Sequence, residues 1–254
     1  MGLYIYNSEE IKKIRDACVI TANILDDIGY LIEDGITLGE IDAEVRNLCR
    51  RYGAIPAFLG YKGFPAAICT AVNSEVIHGI PGRKRRLKAG DIVGLDFGVS
   101  YKGFFGDSAR TFPVGNISSS AEKLLLATKE SLYKGIEAAK EGNRISDISH
   151  AVEKHVAIYG FSPVREFVGH GIGRSLHEEP SIPNFGDPGR GVRIRNGMVF
   201  AIEPMINEGS PEVRVLEDGW TAVTKDGTLS AHYEHTVAII EGKAEILTAG
   251  KDFR

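Results

Sequence analysis

The chain has 254 residues, 43% of them hydrophobic and 25% charged, with a net charge of -4 and a sequence pI near 6.0. That length suits one large domain or two fused halves, and the charge balance excludes a general attraction to nucleic acid. No uncharged apolar run approaches the ~18 residues that span a membrane. The N-terminus lacks a basic flank followed by an apolar stretch, and Tyr6 stands where a myristoylation signal needs Ser or Thr. Cys18, Cys49 and Cys69 are odd in number and far apart, so they make neither a disulfide framework nor a zinc knuckle. The cytoplasm is the expected address.

In chain order, Ser8 is predicted to cap a helix whose apolar positions Ile11, Ile14, Cys18, Leu25 and Ile28 recur at helical spacing. That helix is expected to end near Asp34-Gly35. Thr37-Leu38-Gly39-Glu40 reads as a capping box opening a second helix that runs to about Tyr52, before Gly53. Short strands and loops follow. After them comes the run Arg83-Lys84-Arg85-Arg86-Leu87-Lys88, five basic residues in six. Its plainer reading is a solvated hairpin tip.

Residues 91–113 then read as a hairpin. One strand runs from Ile92 to Val99 and the other from Phe104 to Phe112, joined at Tyr101-Lys102-Gly103. Each strand holds one acid in an apolar setting, Asp96 and Asp107. A buried carboxylate without a partner is very costly, so each needs donors or a cation. For either Asp alone, a hydrogen-bonded structural acid is an equal reading. Two facing acids repel, and a shared divalent metal removes the conflict.

Past Gly115 the pattern restarts. Ser119-Ser120-Ala121-Glu122 reads as another capping box, opening a helix to about Lys140, and a second helix is predicted from Ser146 to Tyr159. His150 and His155 fall on that helix and are expected to be exposed. The restart is a repeat. Gly35 matches Gly142, Ile41 matches Ile148, Val45 matches Val152, Tyr52-Gly53 matches Tyr159-Gly160, and Pro56 matches Pro163, always 107 positions apart. The same offset carries Asp96 onto Glu203, another acid in an apolar strand. The halves, about 1–115 and 116–254, would place these two acids at related positions across a pseudo-twofold axis.

Glu234, in SAHYEHTVAII, is a fourth such acid. Four carboxylates balance about two divalent ions, and paired ions ~3.5–4 Å apart are the usual hydrolytic arrangement. One neutral nitrogen would complete the set. His232 and His235 flank Glu234, and strand alternation points both away from it. His170 and His177 lie in a Gly-rich stretch with Gly169, Gly171 and Gly173, where the backbone can approach closely. His78 sits in the turn-like VIHGIP.

These residues, with HGIP (78–81), VGHGIGRSLHEEPSIPN (168–184), AIEPM (201–205), EDGWTAVT (217–224) and AHYEHT (231–236), make the chain closely resemble type I methionine aminopeptidases. The motifs occur in family order and cover nearly the whole chain. The resemblance implies an α+β pita-bread fold, with antiparallel sheet inside and helices outside. It implies a single catalytic domain over 1–254, without an N-terminal zinc-binding extension. The implied activity is removal of initiator methionine from nascent polypeptides whose second residue is small. Carried over, Asp96, Asp107, His170, Glu203 and Glu234 would hold two divalent ions (Co, Mn, Fe or Zn). Glu203 would shuttle a proton to and from an activated water. His78 and His177 would contact the scissile amide and stabilise the tetrahedral intermediate, and Tyr61, Phe64, Cys69 and Trp220 would form an apolar pocket for the methionine side chain.

The departures are Leu176, where many members have an aromatic residue, and Phe58 and Lys62, where bacterial relatives often carry Cys and His. Glu203 and Glu234 are too close in sequence to hold the insertion of type II enzymes. The resemblance also gives the basic run a sharper reading, a contact with ribosomal RNA where nascent chains emerge. No membrane contact is expected, and the chain is expected to act as a monomer. The alternatives are an X-Pro dipeptidase on the same fold and a non-catalytic relative that binds nascent chains. Such relatives usually lose ligands, and here every ligand position is filled.

Overall fold

A computed structural model describes residues 2–250. Four helices set its outline. Helix α1, Ser8–Gly29, is capped by Asn7 rather than Ser8: the Asn7 side chain accepts from the Glu10 amide at 3.0 Å, and the Glu10 carboxylate accepts from the Asn7 amide at 3.0 Å. The predicted stripe Ile14, Cys18, Leu25 and Ile28 is buried. The helix stops five residues before Asp34, where turn bonds from Leu31 to Ile28 and from Ile32 to Gly29 take over. Helix α2, Leu38–Tyr52, opens on the expected Thr37–Glu40 capping box and closes on Gly53 at φ 63°.

Helix α3, Ser119–Ala138, is capped by Ser118, whose hydroxyl accepts from the Ala121 amide at 3.1 Å. This shifts the predicted cap by one residue. Helix α4, Ile145–Ala157, starts one residue early and ends two early, with Gly160 at φ 78° turning the chain. Its carboxylate Asp147 accepts from the Arg144 amide at 2.7 Å. His150 and His155 are partly buried rather than exposed, and His155 Nε2 lies 3.0 Å from Glu130 Oε2.

Every strand pairing is antiparallel. The predicted hairpin is Ile92–Tyr101 with Phe104–Pro113, and its first strand also pairs with Cys69–Val72 and Ile55–Pro56. In the second half a five-stranded sheet runs in the spatial order Lys243–Ile246, His235–Ile240, Val199–Ile202, Gly169–Gly171, Glu178–Ile182. Two three-stranded sheets fill the junctions. Met205–Asn207 lies between Ser230–His232 and Ser162–Pro163, and Ala222–Thr224 lies between Val213–Val215 and Glu75–Ile77.

The helices cover one side of this strand layer. Helix α1 packs on the hairpin, while α3 packs on α4 and on the second-half strands. Along the first hairpin strand Val93, Leu95, Phe97 and Val99 enter the main core with Ile24, Ile41, Leu124, Val152 and Phe200. Burying each such side chain contributes about 1.5–3 kcal/mol. By the period-2 rule the intervening Gly94, Asp96 and Gly98 face the other way, into the site. Among the described residues no helix is long and apolar enough to cross a membrane.

Candidate metal centre

The hairpin register fixes the first two acids. Asp96 pairs with Ala109 and Asp107 with Gly98, so both carboxylates lie on one face as diagonal neighbours. Gly98 makes room for this: a Cβ there would sit 3.0 Å from Asp107 Oδ1 and 3.1 Å from the Gly106 carbonyl. Cys69 pairs with Asp96 from the opposite strand.

Glu203 and Glu234 arise from a shared interruption. Pro204 cannot donate to a ladder, so the strand Val199–Ile202 ends before it and resumes as Met205–Asn207. The partner chain breaks opposite, between Ser230–His232 and His235–Ile240. Both glutamates stand in that gap. The hairpin closes over it: the Glu234 amide donates to the Ala109 carbonyl at 2.9 Å, the Ser108 hydroxyl to the Glu234 carbonyl at 2.8 Å, and the Thr236 hydroxyl to the Asp107 carbonyl at 2.7 Å. Acids from both halves of the chain thereby meet.

All four carboxylates are buried, each under one-tenth exposed. Burial pushes Asp96 up to about 7. Burial, then the charge of Asp96, raises Asp107 well above the carboxylate range. The same two causes, joined by the charge of Asp107, act on Glu203, and burial followed by Asp107, Glu203 and Asp96 acts on Glu234. Lys62 is the sole Lys or Arg lining the cavity, and it is exposed rather than buried among the acids. Glu234 Oε1 has no hydrogen-bond partner among the described residues. The tightest donor group is Asp107, His170 and Glu234, with ligand atoms all within 4.8 Å of one another. An all-oxygen set with one imidazole and an orphaned carboxylate oxygen fits divalent cations.

His170 is presented for that use. Its Nδ1 donates to the Gly171 carbonyl at 2.9 Å, which leaves Nε2 as the free lone pair, 3.4 Å from Glu203 Oε1. Gly171 is needed here, since a Cβ would lie 2.3 Å from the Glu179 carbonyl. Burial lowers His170 to about 4, so the ring is neutral. His177 lies against it with ring centroids 4.2 Å apart and stacks on Tyr61 at 5.2 Å and 14°. His78 faces Phe167 and Trp220 edge-on and adopts φ 60°, a left-handed conformation that costs of order 1–3 kcal/mol in a residue other than glycine. The next residue, Gly79, packs on the Thr70 carbonyl, where a Cβ would lie at 1.9 Å. Such a strained position in a cleft marks a functional candidate. Burial, then the charge of Lys62, lowers His78 to about 4. Burial, then His170, Lys62 and His78, lowers His177 to about 3.

All eleven residues singled out above (Tyr61, Phe64, Cys69, His78, Asp96, Asp107, His170, His177, Glu203, Trp220 and Glu234) line one cavity of about 220 Å³, with Phe58, Lys62, Ile77 and Leu176. Phe64 meets the Trp220 ring edge-on at 5.2 Å. The sequence reading missed His232. The expectation that alternation turns it away fails because His232 lies two residues before Glu234, a spacing that puts both on one face. His232 is 3% exposed and sets Nε2 3.7 Å from Glu203 Oε2, with no hydrogen-bond partner among the described residues. That two-residue spacing was the available signal. His235 does turn away, its Nδ1 2.9 Å from Thr248 Oγ1. The basic run is partly spoken for: Arg85 Nη1 is 2.5 Å from Glu75 Oε1, and Arg86 donates to the Gly35 carbonyl.

A buried cage of four carboxylates and one imidazole, beside an apolar pocket that two further histidines overlook, defines a metal-dependent hydrolase. The chain belongs to metallopeptidase family M24, whose model matches residues 12–241. It is 53% identical to a methionine aminopeptidase of Clostridium perfringens, over 95% of this chain and 97% of that one. It is 50% identical to methionine aminopeptidase 1 of Bacillus subtilis, over 94% and 96%. The methionine aminopeptidase structure from Thermotoga maritima superposes with a TM-score of 0.96 at 44% identity, over 97% and 99%. A Pyrococcus furiosus prolidase, 24% identical, shares the fold alone at a TM-score of 0.76 over 97% of this chain and 66% of that one. The fold is the α+β pita-bread fold expected from the sequence.

Proposed function

We propose that this chain is a metallo-aminopeptidase that removes the initiator methionine from nascent polypeptides whose second residue is small. The observation that carries this is the cavity lined by four acids and His170, of which Asp107, His170 and Glu234 bring ligand atoms within 4.8 Å of one another, in a chain that matches methionine aminopeptidases at 48–53% identity over nearly its full length. Asp96, Asp107, His170, Glu203 and Glu234 are the residues that would hold two divalent cations. Such ions supply Lewis-acid polarisation of a carbonyl and lower the pKa of water at neutral pH. Glu203 accepts and returns a proton at Oε2, the oxygen turned away from His170. His78 and His177, both held low by desolvation in the cavity and by neighbouring cationic groups, offer N–H groups to the scissile amide and to the charge that develops on its oxygen. Tyr61, Phe64, Cys69 and Trp220, with Phe58 and Leu176, enclose an unbranched apolar side chain. No observation favours the X-Pro or non-catalytic readings.

Release of free methionine from Met-Gly-Met-Met by metal-stripped protein, titrated with Mn, Fe or Co, tests this. Metal-dependent release that Glu203→Ala lacks is expected. No release despite proven metal binding, or a preference for Xaa-Pro peptides, overturns it. The compartment that fits is the cytoplasm, and the working unit is the monomer. All five basic residues of the run are exposed; Arg85 and Arg86 are engaged by Glu75 and the Gly35 carbonyl, and Arg83, Lys84 and Lys88 are available to ribosomal RNA at the tunnel exit. Ribosome co-sedimentation should fall steeply with salt and on neutralising these three residues; unchanged pelleting of that variant removes the contact.

A further inference from the structure

The cavity is electrically polar along its depth. Its floor is the four buried acids, and its rim includes the exposed Lys62 and His177. Lys62 is the sole Lys or Arg among the lining residues. Its backbone is fixed. The loop 58–64 closes on itself through amide-to-carbonyl bonds from Tyr61 to Phe58 (2.9 Å), Gly60 to Phe64 (2.8 Å), Gly63 to Gly60 (3.1 Å) and Phe64 to Tyr61 (2.9 Å). Within it Lys62 takes the left-handed values φ 49° and ψ 21°, a conformation that a lysine holds only where its surroundings impose it. The ammonium lies 5.4 Å from the centroid of the Tyr61 ring, whose other partner is His177. No carboxylate pairs with it among the described residues, and its charge contributes to lowering both His78 and His177.

We propose that Lys62 is a specificity-determining residue that selects substrates carrying a negative charge just beyond the scissile bond, on the third residue of the peptide. The inference rests on the aminopeptidase reading. The peptide's N-terminal ammonium points to the acid floor, the chain passes His177 and His78, and the next side chains emerge at the rim beside Lys62. Cations on the floor would cancel the acids and leave Lys62 as the uncompensated charge of the cavity. The site therefore prefers acidic over neutral over basic side chains at that place. The interaction is made equally in ground and transition states, so it acts through KM.

The test uses Met-Gly-Glu-amide, Met-Gly-Gln-amide and Met-Gly-Lys-amide, amidated to remove the terminal carboxylate, with metal-loaded protein. An exposed ion pair corresponds to a preference of about two- to fivefold. The wild type should favour Glu over Gln by roughly that factor in kcat/KM, with kcat alike. Lys62→Gln should bring the ratio to one, Lys62→Glu should favour the Lys peptide, and molar salt should flatten the series. Peptide affinity read from the fluorescence of Trp220, the single tryptophan and a cavity-lining residue, gives the same ranking independently of turnover. A protein that binds the peptides in this order but cleaves none would refute the aminopeptidase reading and leave the Lys62 assignment standing. A wild-type ratio of one in binding, or an unchanged Glu preference in Lys62→Gln, overturns the assignment.

Discussion

Raising the pH of the metal-stripped protein should destabilise it, and divalent cation should abolish the effect. In the folded chain burial holds Asp96 up at about 7, and Asp107, Glu203 and Glu234 higher than ordinary carboxylates. In the unfolded chain all four ionise near pH 4. Between those limits the native state binds more protons, so stability falls as pH rises. The histidines of the cavity and its surroundings act in the opposite sense. His78, His170, His177, His232 and His235 are all held low, so their contribution is lost only as pH drops below about 6.5, the unfolded value. Between about pH 6.5 and pH 8, below the range in which the buried thiols of Cys18, Cys49 and Cys69 also favour the protonated native state, the carboxylates act alone. Each proton that the native state still holds lowers stability by roughly 1–2 kcal/mol per pH unit between about pH 6.5 and 8. For a chain of this size that is a fall in Tm of about 2–8 °C per pH unit for each such proton. Thermal unfolding of the metal-free protein at the two pH values, with and without Mn, reads it directly. A metal-free Tm that is flat over this window, or that falls equally with Mn present, refutes the argument that burial and mutual repulsion govern these acids.

Other outcomes follow from the same geometry. Gly98→Ala brings a methyl to 3.0 Å from Asp107 Oδ1; it should cost about 1–3 kcal/mol of stability and weaken Mn binding by calorimetry, and wild-type affinity would exclude the steric role given to Gly98. Asp107→Asn should keep the fold, flatten the pH slope of the metal-free protein and abolish both metal binding and methionine release; full activity would remove Asp107 from the ligand set. Thr37→Ala deletes the cap of α2 and should cost about 1 kcal/mol with kcat unchanged; an unaltered Tm would show that the Glu40 half of the box suffices.

Much of this was legible because local chemistry and tertiary role coincide. The Thr37–Glu40 box, the Gly53 stop and the alternation that separates Leu95 and Phe97 from Asp96 are each written in adjacent residues. The cap of α1 was legible too, since Glu10 lies three residues after Asn7 and Ile11 three after Ser8, so only Asn7 can form the box. In the run Ser118-Ser119-Ser120 the register was ambiguous, because three serines can each cap. His232, although expected to point away, was legible in its two-residue spacing from Glu234, which places both on one face of a strand. The left-handed backbone of His78 had no local cue, because His is not a residue that favours that conformation as Gly does.

The candidate ligands stand on strands and in a gap between strands, closed by hydrogen bonds across the junction of the two halves. A cage built this way keeps its span when ions of different radius exchange within it. Ions of unequal size are then ranked by how well they meet a fixed spacing of oxygens rather than by how far the chain yields to them. Ions held by these residues would tie the first half of the chain to the second, so filling the cage would work as a reversible cross-link whose strength is set by the supply of metal around the molecule.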